Sequence, residues 1–331
     1  MWKFLRRPLV SVVIASYNHE PYAAIAVSSV LEQGVADMEV LVVDDGSSDR
    51  TPDVIASLGD SRVRVIRLEE NRRVHPRNLA LGLARGRYVA FQNSDDEWET
   101  GKLSAQLEVL ENDSRIVACF SGVDIIDEAG EQLSGSWANG VFATENQTSA
   151  WWLRRFFDQG NCLCISSAVA RTRAVKDVGC FRPHLIQLSD LDLWVRLAAV
   201  GELHIVDGLL TRMRVIADRN VSRPAPEAAR RSAIELAEVL ARYAERPVCE
   251  RVLEAFGDVL PRDAQSTVAQ VTGLAVDAST LSPVHRFFAD RILADVLDSP
   301  LKREELVRVF GTQTIHDFIR RRGELELGVS H

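Results

Sequence analysis

The chain has no uninterrupted apolar run long enough to cross a bilayer, which takes about 20 such residues as a helix. Its first residues, Met1 to Pro8, include basic side chains but pass straight into a strand-like run. The apolar stretch and small-residue site of a secretory signal are missing. Basic charge is not in excess either: 39 Lys and Arg against 47 Asp and Glu leave a net charge of -8 over 331 residues, which speaks against non-specific nucleic-acid binding. Cysteine is scarce and odd in number: Cys119, Cys162, Cys164, Cys180 and Cys249. No second Cys or His pair at zinc spacing accompanies Cys162-Leu163-Cys164, so reduced, largely buried thiols in a cytosolic protein are expected. No G-x-G-x-x-G follows the first strand-like run, which tells against a dinucleotide-dependent oxidoreductase. The glycine-rich phosphate loop of nucleotidyl transferases is absent near the N-terminus as well.

What is present is an ordinary globular composition, 46% hydrophobic and 26% charged, with alternating strand and helix patterns over the first hundred residues. Val10 to Ala15 and Glu39 to Val43 are nearly continuous apolar runs, the mark of strands buried on both faces of a sheet. A helix is predicted from Tyr22 to Glu32, and Thr51-Pro52-Asp53 has the form of a helix start with Thr51 as cap. Further strands are predicted over Arg62 to Leu68 and Arg87 to Gln92, with a helix over Arg77 to Ala84. This alternation predicts an α/β fold with a mostly parallel sheet covered by helices. Beyond it, a helix is expected over Lys102 to Glu111, strands over Val117 to Val123 and Cys162 to Ala170, and a helix over Leu191 to Ala199. After Pro224-Ala225-Pro226 the chain turns helical, most clearly over Glu227 to Glu245, Val284 to Leu297 and Leu301 to Val309. Residues 1–220 are therefore read as the main domain and 221–331 as a helical C-terminal region. The latter is a candidate surface for a homodimer or a membrane contact.

In open parallel sheets ligands settle beyond the carboxyl ends of the strands. Those ends read Ser16-Tyr17-Asn18-His19-Glu20, Asp44-Asp45-Gly46 and Asn93-Ser94-Asp95-Asp96. Adjacent carboxylates repel unless a cation or donor groups compensate. One Asp-Asp turn would be explained by turn and cap chemistry alone, whereas two at one edge of a sheet point to a bound cation shared with phosphate oxygens.

These residues carry a resemblance. Val12 to Asn18, Val42 to Thr51, Pro76-Arg77-Asn78 and Asn93-Ser94-Asp95-Asp96 are similar, in order, to the motifs of family 2 glycosyltransferases, and the likeness runs from about Pro8 to Arg214. The resemblance implies a GT-A fold (Rossmann-like), a nucleotide-sugar donor, commonly a UDP-sugar, with Mg²⁺ or Mn²⁺, and inversion at the anomeric carbon. It places Tyr17 against the nucleotide base, with Ala15 and Ser16 lining the pocket. Asp45 would accept a hydrogen bond from the base, and Arg77 would approach the diphosphate. Asp95 would be the metal ligand of the D-x-D motif, with Asp96 beside the sugar. Asn93 departs from that motif, where Asp is usual. It lowers the carboxylate count and leaves the metal role to Asp95.

A second constellation is Leu188-Ser189-Asp190-Leu191-Asp192-Leu193-Trp194-Val195-Arg196. Ser189 and Asp192 satisfy the capping-box spacing, and Asp192 with Arg196 suits an i, i+4 ion pair. Asp190 has no such structural explanation beyond its place at a helix N-terminus. The family resemblance makes Asp190 the catalytic base, with Ser189 standing where an acid is usual. His19, His75, His184 and His204 have no ligand-like spacing. His184 could touch an acceptor, and Asn161 to Ser167 is placed near the acceptor pocket. Trp151 to Phe157 suits helix packing or, alternatively, a lipid-linked acceptor at a membrane surface. The expected partners are a nucleotide-sugar donor and a saccharide acceptor, in the cytoplasm or at the inner face of its membrane. Asn93 and Ser189 also keep open a non-catalytic nucleotide sensor or scaffold.

Overall fold

The computed structural model describes residues 7–71, 75–216, 220, 221 and 223–323, with only the backbone at 75, 318 and 321–323. Most of the Met1 to Pro8 segment, and the His75 side chain, lie outside the described residues. The first half alternates β1 (Val10–Ser16), α1 (Glu20–Leu31), β2 (Met38–Asp44), α2 (Thr51–Ala56), β3 (Val63–Arg67), α3 (His75–Leu83) and β4 (Tyr88–Asn93). There follow β5 (Glu97–Trp98), α4 (Lys102–Asn112), β6 (Ile116–Ile126), α5 (Ser149–Gln159), β7 (Val169–Arg171), α6 (Thr172–Asp177), α7 (Ser189–Ala198) and β8 (Glu202–Arg214). The remainder is helical: α8 (Pro226–Ala241), α9 (Val252–Phe256), α10 (Thr267–Ala278), α11 (Pro283–Asp298) and α12 (Pro300–Gly323).

One eight-stranded sheet has the order β3-β2-β1-β4-β7-β6-β8-β5. The four strands from β3 to β4 run parallel, as do β6 and β8, while β7 and β5 are antiparallel to their neighbours. This is the expected α/β architecture with a parallel-dominated sheet. The unbroken apolar runs follow from burial on both faces. Val13, Leu41, Val43 and Phe91 join one core cluster, and Val12, Ile14, Val40 and Val42 the other. Alternate side chains of a strand point to opposite faces, so neither face of β1 or β2 could carry a polar stripe.

Three local expectations are corrected. Thr51 is the first residue of α2 rather than its cap; Asp49 Oδ1 instead accepts from the Thr51 N–H at 2.9 Å. Cys162 to Ala170 is not a continuous strand, because Ile165–Ser167 forms a 3₁₀ turn and β7 keeps only three residues. The two serines explain the break: Ser167 Oγ donates to the Cys164 carbonyl at 2.7 Å, and the Ser166 carbonyl accepts from Trp98 Nε1 at 2.7 Å. Serines that bond backbone locally compete with strand ladders. Ser189 does not cap α7 either, since the cap position falls on Leu188 and no side chain bonds there. The Asp192–Arg196 ion pair does form, fully buried, and Arg242 of the 3₁₀ turn after α8 adds a second cation to Asp192 at 2.8 Å.

The C-terminal helices pack on α5. Phe157 meets the rings of Tyr243, Phe256 and Phe288 edge-on at 4.8, 5.3 and 5.5 Å. The Tyr243 hydroxyl donates to the Leu153 carbonyl at 2.6 Å. Trp152, Leu153, Phe156 and Phe157 are buried, while Trp151 is exposed, so the aromatic run of α5 is a packed helix face. Among the described residues no helix is long and apolar enough to cross a membrane.

Candidate active site

The ends of β1, β2 and β4 lie side by side, and their loops are stitched by side chains. Asn18, held at a φ of 51°, donates its backbone N–H to Ser47 Oγ at 2.9 Å, and its Oδ1 accepts the Ser48 N–H at 2.8 Å. The His19 N–H donates to Thr51 Oγ1 at 2.8 Å and the Glu20 N–H to Asp49 Oδ2 at 3.1 Å. Tyr17, which precedes Asn18, is half-exposed. Ala15 and Ser16 end β1, and the Ser16 carbonyl accepts the Asp45 N–H at 2.8 Å.

The two acids after β2 differ. Asp44 is fully buried and accepts from the Ser47 N–H at 3.0 Å and from Ser16 Oγ at 3.2 Å, so it shapes the turn. Gly46 completes that turn at a φ of 76°, where a Cβ would stand 2.9 Å from the Glu70 backbone. A left-handed φ with no room for a side chain requires glycine. Asp45, the second acid of this pair, is buried beside Asp44.

Asn93 organises the third strand end. Its Oδ1 accepts from Arg77 Nη2 at 2.9 Å, while its Nδ2 donates to Asp96 Oδ2 at 3.0 Å. An aspartate could not donate, and would set a second negative charge against Asp96. The departure from D-x-D thus has a local physical reason. Asp96 is also bonded by Ser166 Oγ at 2.5 Å and by the Arg214 N–H at 2.9 Å. Its oxygens are engaged in holding the loop. Asp95 is buried as well, with His19 Nε2 at 3.9 Å from its Oδ2 and His19 Nδ1 at 2.8 Å from Ser94 Oγ. Burial raises the pKa of both acids above the ordinary carboxylate range, and the charge of Asp95 adds to the effect on Asp96.

Asp190 stands in the first turn of α7. Its Oδ2 accepts from Asn161 Nδ2 at 2.9 Å and its Oδ1 from the Leu191 N–H at 2.8 Å. Burial nevertheless pushes its carboxyl up to about 6. Arg77 connects the two halves of the site. Burial draws its pKa down, and the charges of Asp190, Asp95 and Asp96 oppose that fall. One guanidinium is therefore within electrostatic reach of both acidic groups, which lie nearly a hundred positions apart in sequence.

Sequence reasoning placed Asn161 to Ser167 near the acceptor pocket but gave Ser166 no role of its own, and it missed Arg214. Arg214 is buried, donates to the Asp95, Asp127 and Glu128 carbonyls, pairs with Glu97 and lies 4.8 Å over the Tyr22 ring. An arginine ending a strand carries no local signal of that task. His184 pairs with Glu238 at 2.7 Å on the surface, and His204 lies 3.5 Å from Asn146 Nδ2. Four of the five thiols are buried, Cys180 is half-buried, and all are free, as expected.

Among the described residues no three His, Cys, Asp or Glu side chains gather as a metal cage. The donor set suits a cation that takes one protein carboxylate and completes its shell with water and phosphate oxygens, as Mg²⁺ does. Asp95 fits that role, because Asp96 is already bonded by three donors.

Residues 11–172 match the family model described as Glycosyl transferase family 2. The putative teichuronic acid biosynthesis glycosyltransferase TuaG of Bacillus subtilis is 42% identical over 130 residues, covering 38% of this chain and 51% of that protein. The Escherichia coli UDP-Glc:alpha-D-GlcNAc-diphosphoundecaprenol beta-1,3-glucosyltransferase WfaP is 40% identical over 106 residues, 32% of this chain and 42% of that protein. The matches thus span about half the length of these relatives, or less. Among solved structures, S. aureus TarS 1-349 in complex with UDP-GlcNAc superposes with a TM-score of 0.59 at 17% identity, covering 95% of this chain and 91% of that one. The mannosyltransferase PcManGT from Pyrobaculum calidifontis, in complex with GDP-Man and Mn2+, gives 0.55 at 17%, covering 95% and 86%. At such identity the likeness is one of fold. About half of the chain, residues 11–172, thus resembles family 2 glycosyltransferases, and the fold is that of these solved structures.

Proposed function

We propose that the protein transfers a sugar from a nucleotide-sugar, a UDP-sugar in the first instance, to a hydroxyl of a saccharide or lipid-linked saccharide, with inversion. The observation that carries this reading is the polar chain at the end of β4, in which Arg77 Nη2 donates to Asn93 Oδ1 at 2.9 Å and Asn93 Nδ2 to Asp96 Oδ2 at 3.0 Å, with the charges of Asp190 and Asp95 also acting on Arg77. Tyr17, Asp45 and the backbone of Ala15 and Ser16 hold the nucleotide, and Asn93 and Asp96 border the sugar. Asp190 takes the acceptor hydroxyl proton as the acceptor oxygen bonds to the anomeric carbon. The bond from that carbon to the diphosphate breaks, and its electron pair leaves with the diphosphate. Arg77 stabilises the negative charge that develops there. A Mg²⁺ or Mn²⁺ at Asp95 would supply further charge stabilisation to the same leaving group. Asn161 and the Leu191 N–H fix the direction of the base.

Asn93 and Ser189 gave the non-catalytic sensor its support. Asn93 now has a bonding reason of its own, and the acid at position 190 remains beside Arg77. Calorimetry with UDP and GDP, each with and without Mn²⁺, tests the donor site. UDP binding strengthened by Mn²⁺ is the expected result, and no binding of either nucleotide under any condition sinks the proposal.

A further inference from the structure

Helix α8 meets the segment before and within the start of α7 along one face. Arg231, Glu235 and Glu238 of α8 and Arg242 just beyond it are spaced i, i+4, i+7 and i+11, which places them in one stripe on a helical surface. Each has a partner between residues 184 and 192. Arg231 Nε donates to Gln187 Oε1 at 3.1 Å, Glu238 pairs with His184 at 2.7 Å, and Arg242 Nε donates to Asp192 Oδ1 at 2.8 Å. Glu235 does most. Its carboxylate is buried and accepts three consecutive backbone N–H groups, those of Ile186 at 2.9 Å, Gln187 at 2.8 Å and Leu188 at 2.7 Å.

Those three N–H groups precede a helix whose own cap residue supplies no side-chain bond. Helix N-termini leave orphan donors, and a carboxylate is the strongest acceptor for them. Asp190 is two residues past Leu188, so the backbone that Glu235 holds is the backbone that aims Asp190. The four contacts pin the segment at both ends and in the middle, which a single cap would not do.

We infer that Glu235 is a positioning residue for catalysis, and that the Arg231–Glu235–Glu238–Arg242 stripe of the C-terminal region splints residues 184–192, which lead into the first turn of α7 and carry Asp190, against α8. This rests on the reading of Asp190 as the base. The helical region is then part of the catalytic apparatus, although none of these four side chains bonds Asp190 itself.

The test uses Glu235→Gln, which keeps the shape but presents an NH₂ to donors, and Glu235→Asp, which keeps the charge but withdraws it by one methylene. Amide hydrogen exchange is followed at Ile186, Gln187 and Leu188, alongside UDP-sugar turnover and UDP–Mn²⁺ binding. Faster exchange at those three amides is expected in both variants, with protection in α10 and α11 unchanged and UDP–Mn²⁺ affinity as in the parent. A displaced base should lower kcat by about ten- to a hundredfold with donor KM nearly constant, since misplacement by about 1 Å can cost that much. Unchanged exchange at the three amides, or loosened amides with parental kcat, overturns the inference. Asp190→Asn, run in parallel, separates the two ideas: if it retains full turnover, the base assignment fails, whereas if it is inactive and Glu235→Gln is not, only the splint fails.

Discussion

The two acidic groups that face Arg77 are held by different means. Asp95 sits in a loop fastened mainly from the sheet: Asn93, Ser166 and Arg214 all lie at strand ends or in the turn before β7. Asp190 sits in the first turn of α7, and that turn with the segment before it is fastened from outside the sheet, by Asn161 after α5 and by the stripe on α8. On the proposed donor side, parallel strands in fixed register deliver the loops together. On the proposed acceptor side, long-range polar contacts hold the segment. Changes on the first side should therefore register in nucleotide binding, and changes on the second in turnover or in the attachment of the C-terminal helices.

The largest separation should come from Asp190→Asn. Transfer is expected to fall by about 10²–10⁴-fold, the usual contribution of a general base, while calorimetric UDP affinity stays at the parental value. The pH profile carries the same signature. With its carboxyl pushed up to about 6, Asp190 is ionised and competent above that pH and takes up a proton below it. kcat/KM should fall about tenfold per pH unit on the acid side, and a flat profile down to pH 5 would argue against this base. Next in size is Asp192→Ala, which leaves the buried Arg196 and the half-buried Arg242 without their shared carboxylate. Removing one partner of a buried pair costs about 3–5 kcal/mol, read as a lowered midpoint in urea unfolding. Nucleotide affinity extrapolated to the folded protein should not change. The smallest effect is expected from Tyr17→Ala. The half-exposed ring contributes little to folding, but loss of stacking on the base should weaken UDP binding about tenfold, within the ~1–3 kcal/mol typical of such contacts. An unchanged UDP affinity would remove Tyr17 from the pocket.

The same contrast sets what was legible in the sequence. The continuous apolar runs of β1 and β2 announced the strands, because burial on two faces leaves a pattern that needs no partner to be read, and the polar residues that end them do lie side by side in the sheet. Asp190 was singled out through the family resemblance, while its neighbour Asp192 was accounted for by an ion-pair partner four residues on. The bonds of Ser166 and Arg214 could not be read, since they reach 70 and 118 positions to Asp96, although Ser166 lay in a segment already placed near the acceptor pocket. β8 was missed because its 13 residues mix charged and apolar side chains, and its pairing with β6 shifts register near Gly122. The stripe on α8 was readable as a helical spacing, but its target was not. A row of charges on a helix is ordinarily a solvated face, and only the fold reveals the backbone donors opposite Glu235.

β7 has a consequence for how the molecule assembles. Three residues, Val169–Arg171, lie between β4 and β6 and pair with both. Until that short segment is in place, the four parallel strands on one side and β6 with β8 on the other each present an open edge, the kind of surface that invites pairing with another chain. During synthesis the first group can order as soon as β4 has emerged. The sheet closes only after a further stretch of chain has been made, including α4, β6 and α5. The shortest internal strand is thus the keystone of an otherwise divided sheet, and a slow step in folding is expected at its insertion.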